Sequence, residues 1–211
     1  MIKIQDVVRD IVYSDEGALY ALSKGFMNLS AYAKQIRQKV EDEAMKEVVV
    51  PGIVVSLSRI QKELGQVNPL VVDVAINNIT TKSPLSEIVF EKKSSVLDKL
   101  SSLYKKIKTT NDDFFTIILS TSEVTVICSD RIKETVLKHL EDKPVLIQPK
   151  LSAICISFDP KYYELPNITY SLIRKIAQKR ITLAETITTH TEIIFVFNQK
   201  DLPQILSLFQ G

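Results

Sequence analysis

The chain contains one short stretch twice, and this repetition limits its fold more than any other feature. Ser120–Ile127 reads STSEVTVI and Thr189–Val196 reads THTEIIFV. Each copy is a hydroxyl-rich turn and a Glu followed by an alternating apolar strand, with a helical stretch before it and another helix after it. Such a unit can bury its apolar strand face only beneath its own helices. The repeat therefore predicts a small sheet with helices on one side, built from two copies that pack together.

The repeat resembles the regulatory half of the aspartate kinases. Thr121–Val126, which follows the apolar run Ile117–Ser120, is similar to a hairpin in the first of that family's two tandem ACT domains. The resemblance extends over Asn68–Glu91 as the entry to the tandem and over Lys150–Phe209 as its second unit. It implies an α+β fold in which an N-terminal three-helix module precedes two intertwined ferredoxin-like (βαββαβ) ACT units.

The residues before the repeat form a helical segment of their own. Apolar residues recur at helical spacing from Ile4 through Leu22, again over Ala31–Met45, and from Pro51 until Gly65 ends the third helix. We therefore predict a helical module over 1–66 and a tandem ACT domain over 67–211. Its two units are expected at about 79–149 and 150–211. The second unit lacks a last strand. The two ACT units are intertwined in the family, which implies that strand 70–76 completes the sheet of the second unit.

The β-rich part is predicted to contain eight strands and four helices, the number that two complete βαββαβ units need. The strands are predicted at 70–76, 85–90, 114–120, 123–129, 145–148, 151–158, 182–188 and 192–198, and the helices at 95–107, 131–140, 168–179 and 202–208.

Composition favours an ordinary globular protein. Of the 211 residues, 45% are hydrophobic and 25% are charged, with a net charge of +2. The longest apolar stretch, Val48–Leu57, is too short to span a bilayer, and the first residues do not resemble an export signal. We therefore predict a cytoplasmic protein with no membrane association. The two cysteines, Cys128 and Cys155, lie in predicted apolar strands, which indicates buried thiols and no metal site.

No residue pattern predicts catalysis. The five glycines are scattered and form no phosphate-binding loop. His139 falls late in a predicted helix and His190 in a hairpin turn, and neither belongs to a recognisable catalytic set. The resemblance likewise implies the regulatory architecture without the kinase domain. We predict that the protein is not an enzyme and needs no cofactor.

The resemblance implies a candidate effector site at the loop before the first helix of each unit. In the family, backbone amides at that helix N-terminus hold the carboxylate of an amino-acid effector. The matching loops, 92–96 and 164–168, both lack the glycine that lets a ligand approach the backbone. The acidic residue of lysine-sensing members falls at Ile117, and Asp112 or Asp113 replaces it only if the register slips. The candidate ligand-binding residues are Ser94, Ser95, Val96, Thr116, Ile117, Ser122, Pro166, Asn167, Ile168, Glu185 and Thr186. A simpler interpretation is that Ser94, Ser95 and Asn167 are helix caps.

Three functions follow from these observations. The first is a non-catalytic regulatory or sensing protein that binds an amino acid or a similar small effector. The alternatives are a DNA-binding transcription regulator that uses the N-terminal helices and a purely structural or assembly ACT protein. Residues 1–65 carry nine basic and nine acidic residues, and the candidate recognition helix around Ile53–Leu57 is apolar, so a phosphate-binding face is disfavoured. The apolar surface of this helix and the exposed edges of ACT sheets predict a homodimer.

Overall fold

The computed structural model describes residues 3–65, 70–107, 109–110 and 112–210. The contacts within the chain divide it into two compact units, Met1–Val71 and Val72–Gly211. The predicted boundary between residues 66 and 67 lies outside the described residues.

Residues 3–65 of the N-terminal unit, the part that the structure describes there before the gap at 66–69, contain four helices where the sequence predicted three. The first predicted helical segment is two helices, because Asp15 adopts an extended backbone and its side chain accepts a hydrogen bond from the N–H of Ala18 at 3.0 Å. An Asp at this position satisfies a backbone donor that the new helix would otherwise leave unpaired. The helices are α1 (Ile4–Ser14), α2 (Glu16–Ser23), α3 (Leu29–Ala44) and α4 (Val50–Leu64).

The later helices begin close to their predicted starts, at Leu29 where Ala31 was predicted and at Val50 where Pro51 was predicted. Asn28 caps α3 by accepting a hydrogen bond from the N–H of Ala31 at 3.0 Å, and Pro51 lies in the first turn of α4, where a missing N–H is harmless. The apolar stripes of the helices meet in one core, which includes Val8, Val12, Leu19, Leu22, Val40, Ile53, Leu57 and Ile60.

The second unit is a single six-stranded antiparallel sheet with four helices. The strands lie in the order β2-β3-β1-β4-β6-β5. They are β1 (Ile76–Glu91), β2 (Phe115–Leu119), β3 (Glu123–Ser129), β4 (Leu146–Phe158), β5 (Leu183–Thr188) and β6 (Glu192–Asn198), and the helices are α5 (Ser94–Lys106), α6 (Asp130–Leu140), α7 (Ile168–Ala177) and α8 (Leu202–Phe209).

Two long strands are shared between the ACT units, so eight predicted strands become six. The first half of β1 pairs with the second half of β4, from Ile76 opposite Phe158 to Lys82 opposite Ala153. The second half of β1 pairs with β3 on one side and with the start of β4 on the other. The predicted intertwining is therefore confirmed.

The predicted strand 70–76 is wrong in its position. Only Ile76 belongs to a strand, and residues 76–82 complete the sheet of the second unit. The preceding backbone is bound by side chains instead: the N–H of Val72 donates to Ser171 Oγ at 2.8 Å, and the N–H of Ala75 donates to Tyr162 Oη at 3.1 Å. Donors that are satisfied in this way do not need a neighbouring strand.

The four helices cover one face of the sheet, and the cores on that face are separate for the two units. In the first unit, α5 and α6 pack on β1 and β3, and in the second unit α7 and α8 pack on β4 and β6. The first core includes Ile88, Phe90, Leu103, Val126, Val136 and Leu140. The second includes Ile154, Ile156, Leu172, Ile176, Phe195, Phe197 and Ile205.

The opposite face of the sheet is strongly curved and carries a third core. Glu87 on β1 and Glu185 on β5 line the same cavity, and their carboxyl groups are close enough to interact, although β4 and β6 lie between these strands. In a flat sheet the two strands would be about 14 Å apart, so the sheet must curve to bring them together. Pairing irregularities between Lys82 and Leu85 accompany the bend. The concave face encloses Leu85, Ile127, Leu151, Ala153, Cys155, Ile194 and Val196.

The cysteines are buried free thiols, as predicted. Burial raises the pKa of Cys128 to about 12 and that of Cys155 to about 11. Within the described part of the chain, no helix is long and apolar enough to cross a membrane, and no group of three or more His, Cys, Asp or Glu side chains is arranged to hold a metal ion.

Candidate functional site

A cavity of about 420 Å³ lies at the start of α7 in the second ACT unit; we call it the α7 cavity. Three segments form it: the end of β4 with the loop 159–167, the first turn of α7, and the turn between β5 and β6. Its lining residues are Phe158, Tyr163, Leu165, Asn167, Ile168, Thr169, Tyr170, Thr188, Thr189, His190 and Ile193.

The loop that leads into α7 is held against the β5–β6 turn by two aromatic rings. The ring of Tyr163 lies against that of His190, with ring centroids 4.7 Å apart. Before it, the Asp159 carboxylate accepts a hydrogen bond from the N–H of Lys161 at 2.9 Å and begins a 3-10 turn, Pro160–Tyr162. The loop and the hairpin turn therefore form opposite walls of the cavity.

The entry to α7 has an unusual backbone. Asn167 occupies the N-cap position in the left-handed region, with φ of 67°, and its side chain makes no capping hydrogen bond. A left-handed backbone is uncommon for a residue other than glycine, although Asn tolerates it better than most. The side chain of Asn167 thus lines the cavity instead of satisfying the helix amides.

The chemistry of the cavity is apolar and hydroxyl-rich. Phe158, Ile168 and Ile193 are buried apolar residues in its wall, and Thr188 and Thr189 supply hydroxyl groups. Among the described residues that line it, none is acidic and only His190 can become cationic. The N-terminus of a helix attracts an anion. The arrangement suits a small molecule with a carboxylate and an apolar body.

The equivalent position in the first unit is closed by Lys92. Only Lys92 and Lys93 connect β1 to α5. The N–H of Lys92 donates to the carbonyl of Ser122, and its Nζ donates to the carbonyl of Ser120, both at 2.9 Å. Lys92 thus contacts the β2–β3 turn directly, at the place where the loop 159–167 forms a cavity wall in the second unit.

The capping interpretation of the candidate serines is wrong. The N-cap of α5 is Lys93, and Ser94 and Ser95 lie inside the first turn. Ser95 Oγ donates to Asp142 at 3.1 Å instead. Asn167 has the cap position of α7 without the hydrogen bond that would make it a cap.

The structure brings only some of the candidate residues together. Asn167 and Ile168 share the α7 cavity, whereas Glu185 lines a second cavity on the concave face of the sheet. The others are dispersed: Val96 is buried in the first core, Thr116 and Ile117 are half-buried on β2, and Ser94, Ser122, Pro166 and Thr186 are exposed.

Asp112 and Asp113, the proposed substitutes for the acidic effector ligand, line neither the α7 cavity nor the cavity on the concave face of the sheet. The Asp113 carboxylate is almost completely buried and is paired with Arg131, and it also accepts a hydrogen bond from Thr110 Oγ1 at 2.8 Å. Asp112 is exposed. The lining of the α7 cavity includes neither residue.

The candidate ligand-binding residues predicted from the sequence did not include Tyr163, Leu165 or His190, although Leu165 lies in the candidate loop 164–168. One signal was available: residues 159–167 separate β4 from α7, whereas two residues separate β1 from α5. A loop that is longer in one copy of a repeat than in the other indicates a binding or structural feature that only that copy has.

The N-terminal helices do not present a reading surface at the predicted recognition helix. Ser56 is buried, and its Oγ donates to the carbonyl of Gly52 at 3.0 Å. Arg59 is exposed and donates to the Gln5 side chain at 3.4 Å. Ile53 and Leu57 point into the core of the module.

Comparison with models of known protein families gives no match, and comparison with curated protein sequences gives none either. Solved structures do match. The aspartate kinase of Clostridium acetobutylicum matches with a TM-score of 0.54 and 11% identity over 65% of this chain and 35% of that chain. The regulatory subunit of aspartate kinase from Thermus thermophilus matches with a TM-score of 0.51 and 9% identity over 64% of this chain and 96% of that subunit. Aspartokinase III of E. coli matches with a TM-score of 0.52 and 7% identity over 65% of this chain and 34% of that chain.

These matches concern the fold. This chain covers only about a third of the two whole kinases but nearly all of the isolated regulatory subunit. The matched part of this chain therefore has the tandem ACT fold of an aspartate kinase regulatory region.

Proposed function

We propose that this protein is a non-catalytic regulatory protein that senses a small amino acid through the second of its two ACT units. The observation that carries the proposal is the α7 cavity, which places an apolar pocket beside a helix N-terminus. A carboxylate at the start of α7 would meet backbone N–H groups and the positive end of the helix dipole. The apolar body of the ligand would lie against Phe158 and Ile193.

The lining of the cavity favours a neutral, apolar or aromatic amino acid. No acidic side chain among the described lining residues is present to bind a second ammonium group, as a lysine ligand would require. Tyr163 and Leu165 are exposed at the wall of the cavity. The apolar side chain of a bound amino acid would pack against them. The ammonium group of the ligand would be left to the hydroxyls of Thr188 and Thr189 and to backbone carbonyls.

A thermal-shift screen of the purified chain against the twenty amino acids tests the proposal. A ligand at a hundred times its dissociation constant stabilises the folded state by about 2.7 kcal/mol. We expect a branched-chain or aromatic amino acid to raise the melting temperature and lysine to leave it unchanged. A flat screen would favour the structural or assembly function instead.

Thr169→Glu locates the site of any response. Thr169 is exposed in the first turn of α7, where a negative charge stabilises a helix by about 0.3–1 kcal/mol but repels a bound carboxylate. The variant should keep its stability and lose the response, while Thr169→Gln, which adds no charge, should keep both. An equal response from both variants would place the ligand elsewhere.

We also propose that the protein is a homodimer. The start of β4 pairs with β1 through Leu146–Gln148, whereas β6 pairs with β4 only from Leu151 onward. The outer edge of 146–148 thus has no strand partner among the described residues. Val145, Leu146 and Ile147 are exposed there, and an unpaired apolar edge is a site for strand pairing with a second chain. Light scattering tests this proposal, as described below.

A further inference from the structure

The concave face of the sheet holds a second cavity, of about 630 Å³, which we call the sheet cleft. Its walls come from both ACT units: β1, β3 and the start of β4 on one side, and β5 with the end of β6 on the other. Small organic ligands occupy cavities of this size. The proposed amino-acid site lies outside the cleft, whereas Val145, Leu146 and Gln148 in the cleft wall belong to the strand edge proposed for the dimer.

A buried carboxyl group points into this cleft without a counter-charge. Glu87 is only 5% exposed, and within the described residues its side-chain partner is Glu185, another carboxyl group. Buried carboxylates are normally paired with a cation or with several hydrogen-bond donors. Burial, with a further contribution from Glu185, raises the pKa of Glu87 to about 7. Glu87 therefore carries a proton below about pH 7, and this proton lies on the side of its carboxyl group that faces Glu185.

The surroundings of this pair add further negative charge. Glu123 on β3 and Asp201 after β6 line the cleft, and Lys200 is its one basic residue among those described. The remaining groups that face the pair are uncharged, including the Gln148 amide and the Thr125 hydroxyl. Four carboxyl groups and one ammonium group favour a cationic occupant.

We propose that the sheet cleft binds a small organic cation with primary ammonium groups, such as a linear di- or polyamine, with one ammonium between Glu87 and Glu185. An ammonium donates three hydrogen bonds and would replace the proton of Glu87 with a full positive charge. A second ammonium would lie toward Glu123 or Asp201. An added carboxylate on the ligand would meet the acidic wall, so a simple amine fits better than an amino acid. The bound cation would link β1 of the first unit to β5 of the second.

Isothermal titration calorimetry of the full chain with spermidine tests the proposal. We expect saturable binding that weakens by about tenfold or more in Glu87→Gln and in Glu185→Gln, because each removes a charge-assisted hydrogen bond. Glu134→Gln is the matched control, since Glu134 is exposed on α6 and lies outside the cleft; it should bind like the parent. Glu185 is only half-buried, so its variant is the safer one to fold, and circular dichroism of each variant verifies that it has folded.

The proton supplies a second readout. At about pH 6 the ligand must displace this proton, which the buffer then takes up. The heat of binding should therefore differ between buffers of different ionisation enthalpy by an amount that corresponds to about one released proton. The affinity should rise toward about pH 8, where no proton has to be displaced. Primary amines remain charged throughout this range. The proposal is overturned if spermidine shows no saturable binding, if Glu87→Gln and Glu185→Gln bind it unchanged, or if magnesium ions compete for the site as well as a diamine does.

Discussion

The Glu87–Glu185 pair makes a quantitative prediction about stability, which Glu87→Gln isolates. Glutamine keeps the shape of the side chain and its ability to hydrogen-bond to Glu185, but it cannot ionise. In the unliganded parent, the pKa of Glu87 is raised from 4.5 to about 7 by burial and by Glu185. At pH values between 4.5 and about 7, Glu87 is protonated in the folded chain and ionised in the unfolded chain.

The sign follows from that difference in bound protons. The folded state binds more protons than the unfolded state between about pH 4.5 and pH 7, so its stability falls as the pH rises through this range. The contribution is fully present below the unfolded pKa and is lost once the pH passes the folded pKa. Above that point both states are ionised, and Glu87 adds no further slope.

The size of the effect is bounded by the shift. A shift from 4.5 to about 7 corresponds to at most about 3 kcal/mol. Glu87 faces an open cleft that water enters, and the resulting screening reduces the effect to about 1–2 kcal/mol. The free energy of unfolding of the parent, minus that of Glu87→Gln, should decrease by this amount between about pH 5 and pH 8.

Urea unfolding, followed by far-ultraviolet circular dichroism in amine-free buffer, measures this difference. Titrating groups outside the sheet cleft cancel because they are common to both proteins and distant from Glu87. Glu134→Gln should run parallel to the parent at every pH. Parallel curves for the parent and Glu87→Gln would show that the carboxyl group is ionised throughout, and the reasoning from burial would then be refuted.

Three further predictions concern function and assembly. The purified 211-residue chain should not transfer phosphate from ATP to aspartate, since its sequence contains no phosphate-binding loop; a coupled assay that detects turnover would contradict this. The balanced charges of residues 1–65 should limit DNA binding at physiological salt to the micromolar non-specific range, about 10⁻⁶ M or weaker, and sequence-specific nanomolar binding in an anisotropy assay would favour the transcription regulator. Light scattering at micromolar concentration should give twice the monomer mass of 23.9 kDa. Val55→Glu should weaken the dimer if α4 lies at the interface, because Val55 is 51% exposed on that helix; a monomeric parent would disprove the assembly.

Local signals in the sequence located the helices well. Gly65 ends α4 and Asn28 begins α3, as their types suggest. The strands were harder: the predicted strand 85–90 begins after Pro84, and the predicted strand 145–148 ends before Pro149. Both prolines lie within continuous strands, at points where the strand changes from the partners of one unit to those of the other. A proline is tolerated in a strand where the regular ladder is interrupted.

The candidate site was only partly predictable for a different reason. The helix N-terminus at Asn167 and Ile168 is a local feature, and sequence reasoning found it. The wall formed by Tyr163 and His190 depends on how a loop meets a distant turn. The meeting of Glu87 with Glu185 depends on the curvature of the whole sheet, and strand periodicity carries no information about curvature.

The shared strands have a consequence for how the two cavities communicate. Because β1 and β4 each carry backbone hydrogen bonds of both ACT units, neither unit can open locally without breaking the ladder that the other needs. The sheet is then a single foldon, in which amides of both units exchange through the same opening event. A ligand that suppresses this opening at the α7 cavity also protects the sheet cleft, and the reverse holds by linkage. Either proposed ligand would therefore stabilise the whole sheet against opening, with no moving hinge between the two cavities.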